Sequence, residues 1–351
     1  MGVQHMSGIE NRLDLADQAM NRQPLPVPDL PPRLILDMAT KCNLRCGMCT
    51  VWGQDDQEAL DKAKGVMNLE ASRKLLDELM AAQPIVSPCM YGEPTLAPDF
   101  RARMLDLKSR GMPVFINTNG LTITKELAEF LVSIKIDSVF VSIDATTKET
   151  LKKIRGVDKL AKIESAVHRL LEARGDCELP RIGVSFTIQD ENRHEREAFV
   201  ERWTQIVDCV RVGLVFLDGT FKDMKQLGER QPCPAIYKTM AVHHDGQVSV
   251  CCLDGLKQTD MGNVFESGGQ AVWLGEEFTK VRLFHETGDW DKVPFCKSCN
   301  GWAQYDFEET VKDGLLIRES PEYVYYNRLD RMMTWKGDLR EFHLGELKKN
   351  E

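Results

Sequence analysis

The chain lacks the features that mark a membrane protein, an exported protein or a nucleic-acid surface. No apolar run reaches the length of a membrane span. The opening residues, MGVQHMSGIENRLDLADQ, hold no apolar signal core, so the expected compartment is the cytoplasm. Excess positive charge is missing. There are 45 Lys and Arg against 54 Asp and Glu, a formal net charge of -9, which argues against nucleic-acid binding by general electrostatics. Histidine is scarce, with 7 in 351 residues and His5 the only one before residue 100. A Cys/His zinc site near the N-terminus therefore has little to draw on. The 11 cysteines are an odd number without an export signal, so disulfides are the weak reading and metal or cluster ligation the stronger one.

Hydrophobic periodicity organises the rest. Residues 1–32 are polar, then proline-rich (QPLPVPDLPP), and read as an irregular lead-in. From Arg33 to Phe216 short apolar runs alternate with helical patterns. RLILDM, IVSPCMY, PVFINTNG, SVFVSID, RIGVSFTI and VRVGLVF read as strands, with Pro88 interrupting the second. Six βα units predict a parallel sheet. A closed barrel needs about eight units, so six suggest an open, incomplete barrel, and a doubly wound sheet has the same local signature. Residues 217–305 lose this rhythm and read as a second, smaller domain. Residues 306–351 read as a C-terminal tail that packs a helix back onto the body.

The loop after the first strand reads TKCNLRCGMCT, with Cys42, Cys46 and Cys49 crowded together. Clustered thiols bind soft metals or iron–sulfur clusters. Zinc would want a fourth, distant ligand, whereas a four-iron cluster on three cysteines keeps one iron open. The CxxxCxxC spacing resembles the signature of the radical S-adenosylmethionine (SAM) superfamily. That resemblance implies a partial (β/α)6 barrel over residues 33–216, a SAM-binding [4Fe–4S] cluster on these three cysteines, and reductive cleavage of SAM to a 5'-deoxyadenosyl radical that abstracts a substrate hydrogen atom. It also implies a flavodoxin- or ferredoxin-type electron donor. Further segments fall in family order. Tyr91, Gly92, Glu93 and Pro94 resemble the GGE-like motif, with tyrosine where glycine is usual. Asn117 and Asn119 follow the third strand. Ser142 and Asp144 resemble residues that touch the SAM ribose or the substrate, and Arg155 resembles an arginine that pairs with the SAM carboxylate. Each has a plainer reading: the GEP run as a turn, Asp144 as a helix cap, Arg155 as a solvated helix residue.

A second thiol set lies further on: Cys233 and Cys251 in the spacing C-x12-G-x4-C, then Cys296 and Cys299 in FCKSC. Four cysteines saturate one [4Fe–4S] cluster, and they bind zinc equally well. The pattern resembles the SPASM/twitch group, and because no cysteine follows Cys299 it resembles the shorter twitch form with one auxiliary cluster. Cys252 competes with Cys251 as ligand. If it is spare, it joins Cys89 and Asp144 as a candidate for the chemistry, although a small buried cysteine on a strand is the plainer reading of Cys89.

The resemblance leaves two outcomes open, oxidation with the auxiliary cluster as electron acceptor or epimerisation with a cysteine as hydrogen donor. About 32 residues precede the first strand and no peptide-recognition domain is evident, so a small polar substrate such as a sugar or aminocyclitol is expected. A ribosomal-peptide maturase and a non-enzymatic electron carrier or zinc-stabilised binding protein are the competing classes.

Overall fold

The computed structural model describes residues 25–53, 55–224, 228–305 and 307–332. Six strands run parallel in chain order. They are β1 (Arg33–Leu36), β2 (Ile85–Ser87), β3 (Phe115–Thr118), β4 (Ser138–Ser142), β5 (Arg181–Ile188) and β6 (Cys209–Leu214). β1 pairs with β2, and β3 with β4, β4 with β5 and β5 with β6. A single bridge, Val86 to Val114, joins β2 to the start of β3. The second strand is shorter than its apolar run because it stops before Pro88, which has no N–H to donate.

Helices fill the crossovers: α1 (Leu69–Leu79), α2 (Phe100–Ser109), α3 (Lys125–Ser133), α4 (Lys148–Arg155), α5 (Leu160–Arg174) and α6 (Arg196–Thr204). Asn68, Thr124 and Thr147 cap three of them by accepting from first-turn amides. Alternation along the strands divides the sheet into two faces. Val139, Val141, Val184, Val210 and Val212 lie on the face packed against the helices and are almost fully buried. Each such side chain contributes roughly 1.5–3 kcal/mol from burial. The opposite, inner face carries Asn117, Ser142, Ser185, Thr187 and Arg211. Aromatic rings crowd this face. A Cβ at Gly183 would stand 2.4 Å from the Phe140 ring, and one at Gly213 2.6 Å from Tyr323.

The two edges do not meet. β1 takes β7 (Thr239–Val242) as an outer parallel neighbour, followed by antiparallel β8 (Val248–Ser249). β6 takes a three-stranded antiparallel extension built from β9 (Glu308–Lys312), β10 (Leu315–Glu319) and β11 (Tyr323–Arg328). The result is a partial, open (β/α)6 barrel.

This extension corrects the expected helical tail. Asp313 and Gly314, at φ +51° and +75°, form a two-residue turn of the kind that matches strand twist; the strands it joins carry β-branched Thr310, Val311 and Ile317, and β11 adds three tyrosines, Tyr323, Tyr325 and Tyr326. A helix is present only at Leu329–Met332; residues 333–351, like 1–24, lie outside the described residues. Among the described residues no helix is long and apolar enough to cross a membrane.

Candidate active site

All three clustered cysteines sit on the loop that leaves the C-terminal end of β1, where sites form in barrels of this kind. The loop winds tightly: the Cys49 amide donates to the Cys46 carbonyl (2.9 Å), and Gly53 to the Cys49 carbonyl (2.9 Å). A Cβ at Gly53 would stand 2.4 Å from the Cys46 carbonyl oxygen, so only glycine fits that closure. Backbone amides already point at sulfur, Leu44 N to Cys42 Sγ (3.4 Å) and Trp52 N to Cys49 Sγ (3.2 Å).

The YGEP segment docks onto this loop. Glu93 N donates to the Lys41 carbonyl at 2.7 Å, and a Cβ at Gly92 would lie 2.3 Å from the Ala39 carbonyl, so Gly92 is required by close backbone approach. Glu93 is buried. One carboxylate oxygen accepts from the hydroxyls of Thr95 (2.6 Å) and Thr118 (2.8 Å), and the other from Asn119 N (2.7 Å). Burial still raises its pKa, against those hydrogen bonds. The Asn119 side chain in turn donates to Asn43 in the cysteine loop (2.7 Å). The ends of β1, β2 and β3 are thus tied together by hydrogen bonds.

A cavity of about 300 Å³ opens at these strand ends. Cys42, Cys46 and Cys49 line it together with Tyr91, Gly92 and Glu93. Asn117, Asn119, Ser142 and Arg155 complete the expected wall, and Cys89 also faces in, its thiol donating to the Gly92 carbonyl (2.7 Å).

Three expected site residues stand elsewhere. Pro94 opens a short 3-10 turn and is not part of the cavity wall. Asp144, at φ +64°, sits behind Arg155: one carboxylate oxygen takes the Arg155 guanidinium through Nε (2.9 Å) and a second nitrogen, and the other accepts from Thr187 N (2.7 Å). Both oxygens are committed, so Asp144 orients Arg155 instead of meeting ligand. Cys252 is also absent from the wall.

The sequence reading missed Met48, Trp52, Thr187, Val215 and Phe216, which line the same cavity. Thr187 and the Val215–Phe216 pair lie at or just beyond the C-terminal ends of β5 and β6, a positional signal that was available.

Do these thiols fit a cluster? Among the described residues no group of three or more His, Cys, Asp or Glu side chains converges so as to hold a single metal ion. The case rests on the donor set. Burial pushes the Cys46 thiol up to about 11, opposed by Arg155, and raises Cys42 as well. Crowded thiols whose sulfurs receive amide hydrogen bonds suit a soft cationic centre, which binds them as thiolates and releases their protons. The second set behaves likewise. Burial and then Cys299 push Cys296 up to about 12, and Cys233 is raised by burial and by Cys299. Cys251 is raised by burial, with Cys252, Cys296 and Cys233 adding to the rise. Gly301 N donates to Cys299 Sγ (3.3 Å), and Arg230 ties down the Cys296 and Lys297 carbonyls (2.6 and 3.0 Å). Both sets fit iron–sulfur ligation.

One side chain touches both regions. Tyr91 lines the cavity and packs with Val51, Trp52, Cys42 and Cys49, while its hydroxyl donates to the Leu253 carbonyl (3.1 Å), next to Cys252. A Cβ at Gly255 would lie 2.3 Å from its ring.

Comparison with known proteins agrees with this picture. The family model of the radical SAM superfamily matches residues 36–202, and that of an iron–sulfur cluster-binding domain, SPASM, matches residues 233–300. A tungsten-containing aldehyde ferredoxin oxidoreductase cofactor-modifying protein of Pyrococcus furiosus is 31% identical over 263 residues, covering 72% of this chain and 71% of the relative. Several further curated relatives are spanned over only 36% to 51% of their length. Among solved structures, BtrN in complex with AdoMet and 2-DOIA superposes with a TM-score of 0.54 at 19% identity, covering 77% of this chain and 93% of that one. Streptococcus suis SuiB bound to the precursor peptide SuiA gives a TM-score of 0.59 at 15% identity, over 78% and 71%. At such identities the structures speak for the fold alone.

Proposed function

Because the chain belongs to the radical SAM superfamily and carries a SPASM domain, we propose that it oxidises a small polar molecule, such as a sugar or aminocyclitol. Its cofactors are SAM, a SAM-binding [4Fe–4S] cluster and an auxiliary one. When bound, these groups supply an electron that cleaves SAM to a 5'-deoxyadenosyl radical, and an acceptor for the electron the substrate gives up.

The protein's own residues do the rest. Cys42, Cys46 and Cys49 hold the first cluster and leave one coordination position for SAM. Arg155, locked by Asp144, offers a fixed guanidinium to the SAM carboxylate, a geometry that suits bidentate pairing. Glu93 holds the Thr118–Asn119 strand end in place, and the backbone at Gly92 and the Asn119 amide present polar groups to the cofactor. Cys233, Cys251, Cys296 and Cys299 hold the auxiliary cluster. An electron donor of flavodoxin or ferredoxin type supplies the reductant.

The observation that carries the oxidative reading is the Tyr91–Leu253 contact, because through it a residue of the cavity wall reaches the segment that carries Cys251 and Cys252. The small-molecule reading draws on the half-polar inner face of the barrel and on two names: BtrN is held with 2-DOIA, and the Pyrococcus relative is named for modifying a cofactor. A second reading has one observation behind it. Cys89 faces the cavity, where a thiol can return a hydrogen atom and make the reaction an epimerisation.

The test is anaerobic incubation of the reconstituted protein with SAM, dithionite and a panel of sugars and aminocyclitols that includes 2-DOIA, beside a panel of peptides. The expected result is 5'-deoxyadenosine together with a small molecule lighter by two hydrogens. A product of unchanged mass supports the epimerase, and a modified peptide sinks the small-molecule reading.

A further inference from the structure

Just beyond β6 a short hairpin leaves the cavity wall. Val215 and Phe216, both of the wall, lead into it: Phe216–Leu217 pairs antiparallel with Thr220–Phe221. Asp218 and Gly219, at φ +51° and +77°, make its two-residue turn, and Lys222 N closes it by donating to the Val215 carbonyl (3.0 Å). Phe216 and Phe221 stand opposite each other in register. Their ring centroids are 5.0 Å apart and their planes are tilted by 59°, the geometry of a packed aromatic pair. Phe216 faces the cavity, whereas Phe221 is 5% exposed and turns away from it into the protein.

The far side of the hairpin rests on the CKSCNG segment, residues 296–301. The Asn300 side chain, next to Cys299, grips the Phe221 backbone twice: its Oδ1 accepts from Phe221 N (2.7 Å) and its Nδ2 donates to the Phe221 carbonyl (2.9 Å). A Cβ at Gly219 would stand 3.2 Å from Ser298 Oγ. One at Gly301 would stand 3.1 Å from the Phe221 ring, 3.4 Å from Cys299 Sγ and 3.5 Å from the Leu253 side chain, so ring, sulfur and leucine close around one point that glycine leaves free. Phe216, Phe221 and Cys299 thus follow one another from the cavity to the auxiliary thiols. Asn300 fixes that order, because the hairpin cannot swing away from Cys299 without breaking both of its hydrogen bonds.

We propose that Phe221 is a positioning residue, the dry partition across which the substrate's electron passes from the cavity to the auxiliary centre beside Cys299. This rests on the oxidative reading given above. A C–H bond beside a hydroxyl gives its hydrogen atom to the 5'-deoxyadenosyl radical. As the C=O bond forms, the O–H bond breaks, its proton goes to water, and the electron crosses the Phe216–Phe221 pair to the iron–sulfur centre held by the auxiliary cysteines. A closely packed ring keeps water from the cavity side of that centre, and an apolar shell of this kind governs both solvent access and redox potential.

A substrate-free measurement comes first. Pulsed electron paramagnetic resonance is recorded on the reduced, reconstituted holoenzyme in water labelled at oxygen, so that exchanging amides stay silent. The auxiliary signal is told apart because only the SAM-site centre responds to added SAM. In Phe221→Ala more labelled water should lie against the auxiliary centre than in wild type, and its midpoint potential should rise, because water favours the more negatively charged reduced form. Iron content and the SAM-site signal should not change. Asn300→Ala, which keeps the ring but releases its hold, should move both readouts the same way, and Phe221→Leu, which keeps an apolar side chain there, should stay close to wild type. Unmoved water signal and potential in both alanine variants overturn the proposal. The panel of sugars and aminocyclitols then reads the electron itself. Phe221→Ala should give less oxidised product per 5'-deoxyadenosine despite its higher potential, whereas a change in driving force alone would give more. Absence of oxidised product from wild type removes the proposed function and this inference with it, whereas normal oxidation with undiminished yield in Phe221→Ala removes only the role of Phe221.

Discussion

Arg155 and Asp144 are a buried ion pair of which only the guanidinium faces the cavity, so the two residues should fail differently. Replacing one partner leaves the other as an uncompensated buried charge, at a cost of about 3–5 kcal/mol. Asp144→Asn should therefore weaken SAM binding about tenfold or more by freeing the guanidinium, while iron loading on Cys42, Cys46 and Cys49 persists. Calorimetric titration of SAM into the reconstituted variant checks this, and unchanged affinity would show that Asp144 does not orient the guanidinium for SAM. The sequence placed both residues in the neighbourhood but could not pair them, because Arg155 ends α4, 11 positions after Asp144, and the left-handed turn at Asp144 that brings its carboxylate to the guanidinium leaves no mark in the periodicity. A second residue makes an acid-stability prediction. His243, 1% exposed and bonded to Ser249 (2.7 Å), has its pKa lowered by burial to about 4, against 6.5 for a free histidine. The unfolded chain binds the extra proton first as pH falls, so this stabilisation is full above about 6.5 and is lost on the way down to about 4. Urea unfolding of wild type should lose up to about 3 kcal/mol more over that window than His243→Gln.

At the level of elements, all six parallel strands were legible because their two faces differ: apolar residues alternate toward the helices, and turn residues close each unit. The tail was not: a helix is expected over residues 306–351, whereas the Asp313–Gly314 turn joins two antiparallel strands within it. The extension bears on the site because β11 pairs with β6, whose end leads into Val215 and Phe216 of the cavity wall. Gly314 adopts φ +75°, a conformation that costs other residues about 1–2 kcal/mol, and more for a β-branched side chain. Gly314→Val should thus lower the melting midpoint by a few degrees. It should leave 5'-deoxyadenosine formation within about twofold of wild type, because the cysteine loop and Arg155 are anchored on other strands. Thermal denaturation beside a single-turnover SAM cleavage assay checks both halves. A loss of SAM cleavage would show that the extension supports the cofactor site and not only the substrate side.

For the whole molecule, one thiol set lines the cavity and the other belongs to the region that Tyr91 reaches through Leu253, and the two are expected to load independently. Seven cysteines and two spacings are what the sequence offers for that expectation. What spacing could not supply is the link between the sets, since Tyr91 and Leu253 are 162 residues apart and their contact exists only in the fold. Two [4Fe–4S] clusters predict about eight irons per chain after anaerobic reconstitution. The triple alanine variant at Cys42, Cys46 and Cys49 should keep about four of them, as should the quadruple variant at Cys233, Cys251, Cys296 and Cys299. The first should lose SAM cleavage outright. The second should retain it but accumulate 5'-deoxyadenosine without oxidised product, because the substrate's electron then has no acceptor. If the quadruple variant loads normally and still oxidises, the auxiliary thiols hold zinc or nothing. The oxidative reading then falls, whereas Cys89, which needs no second centre, would become the residue on which the reaction turns.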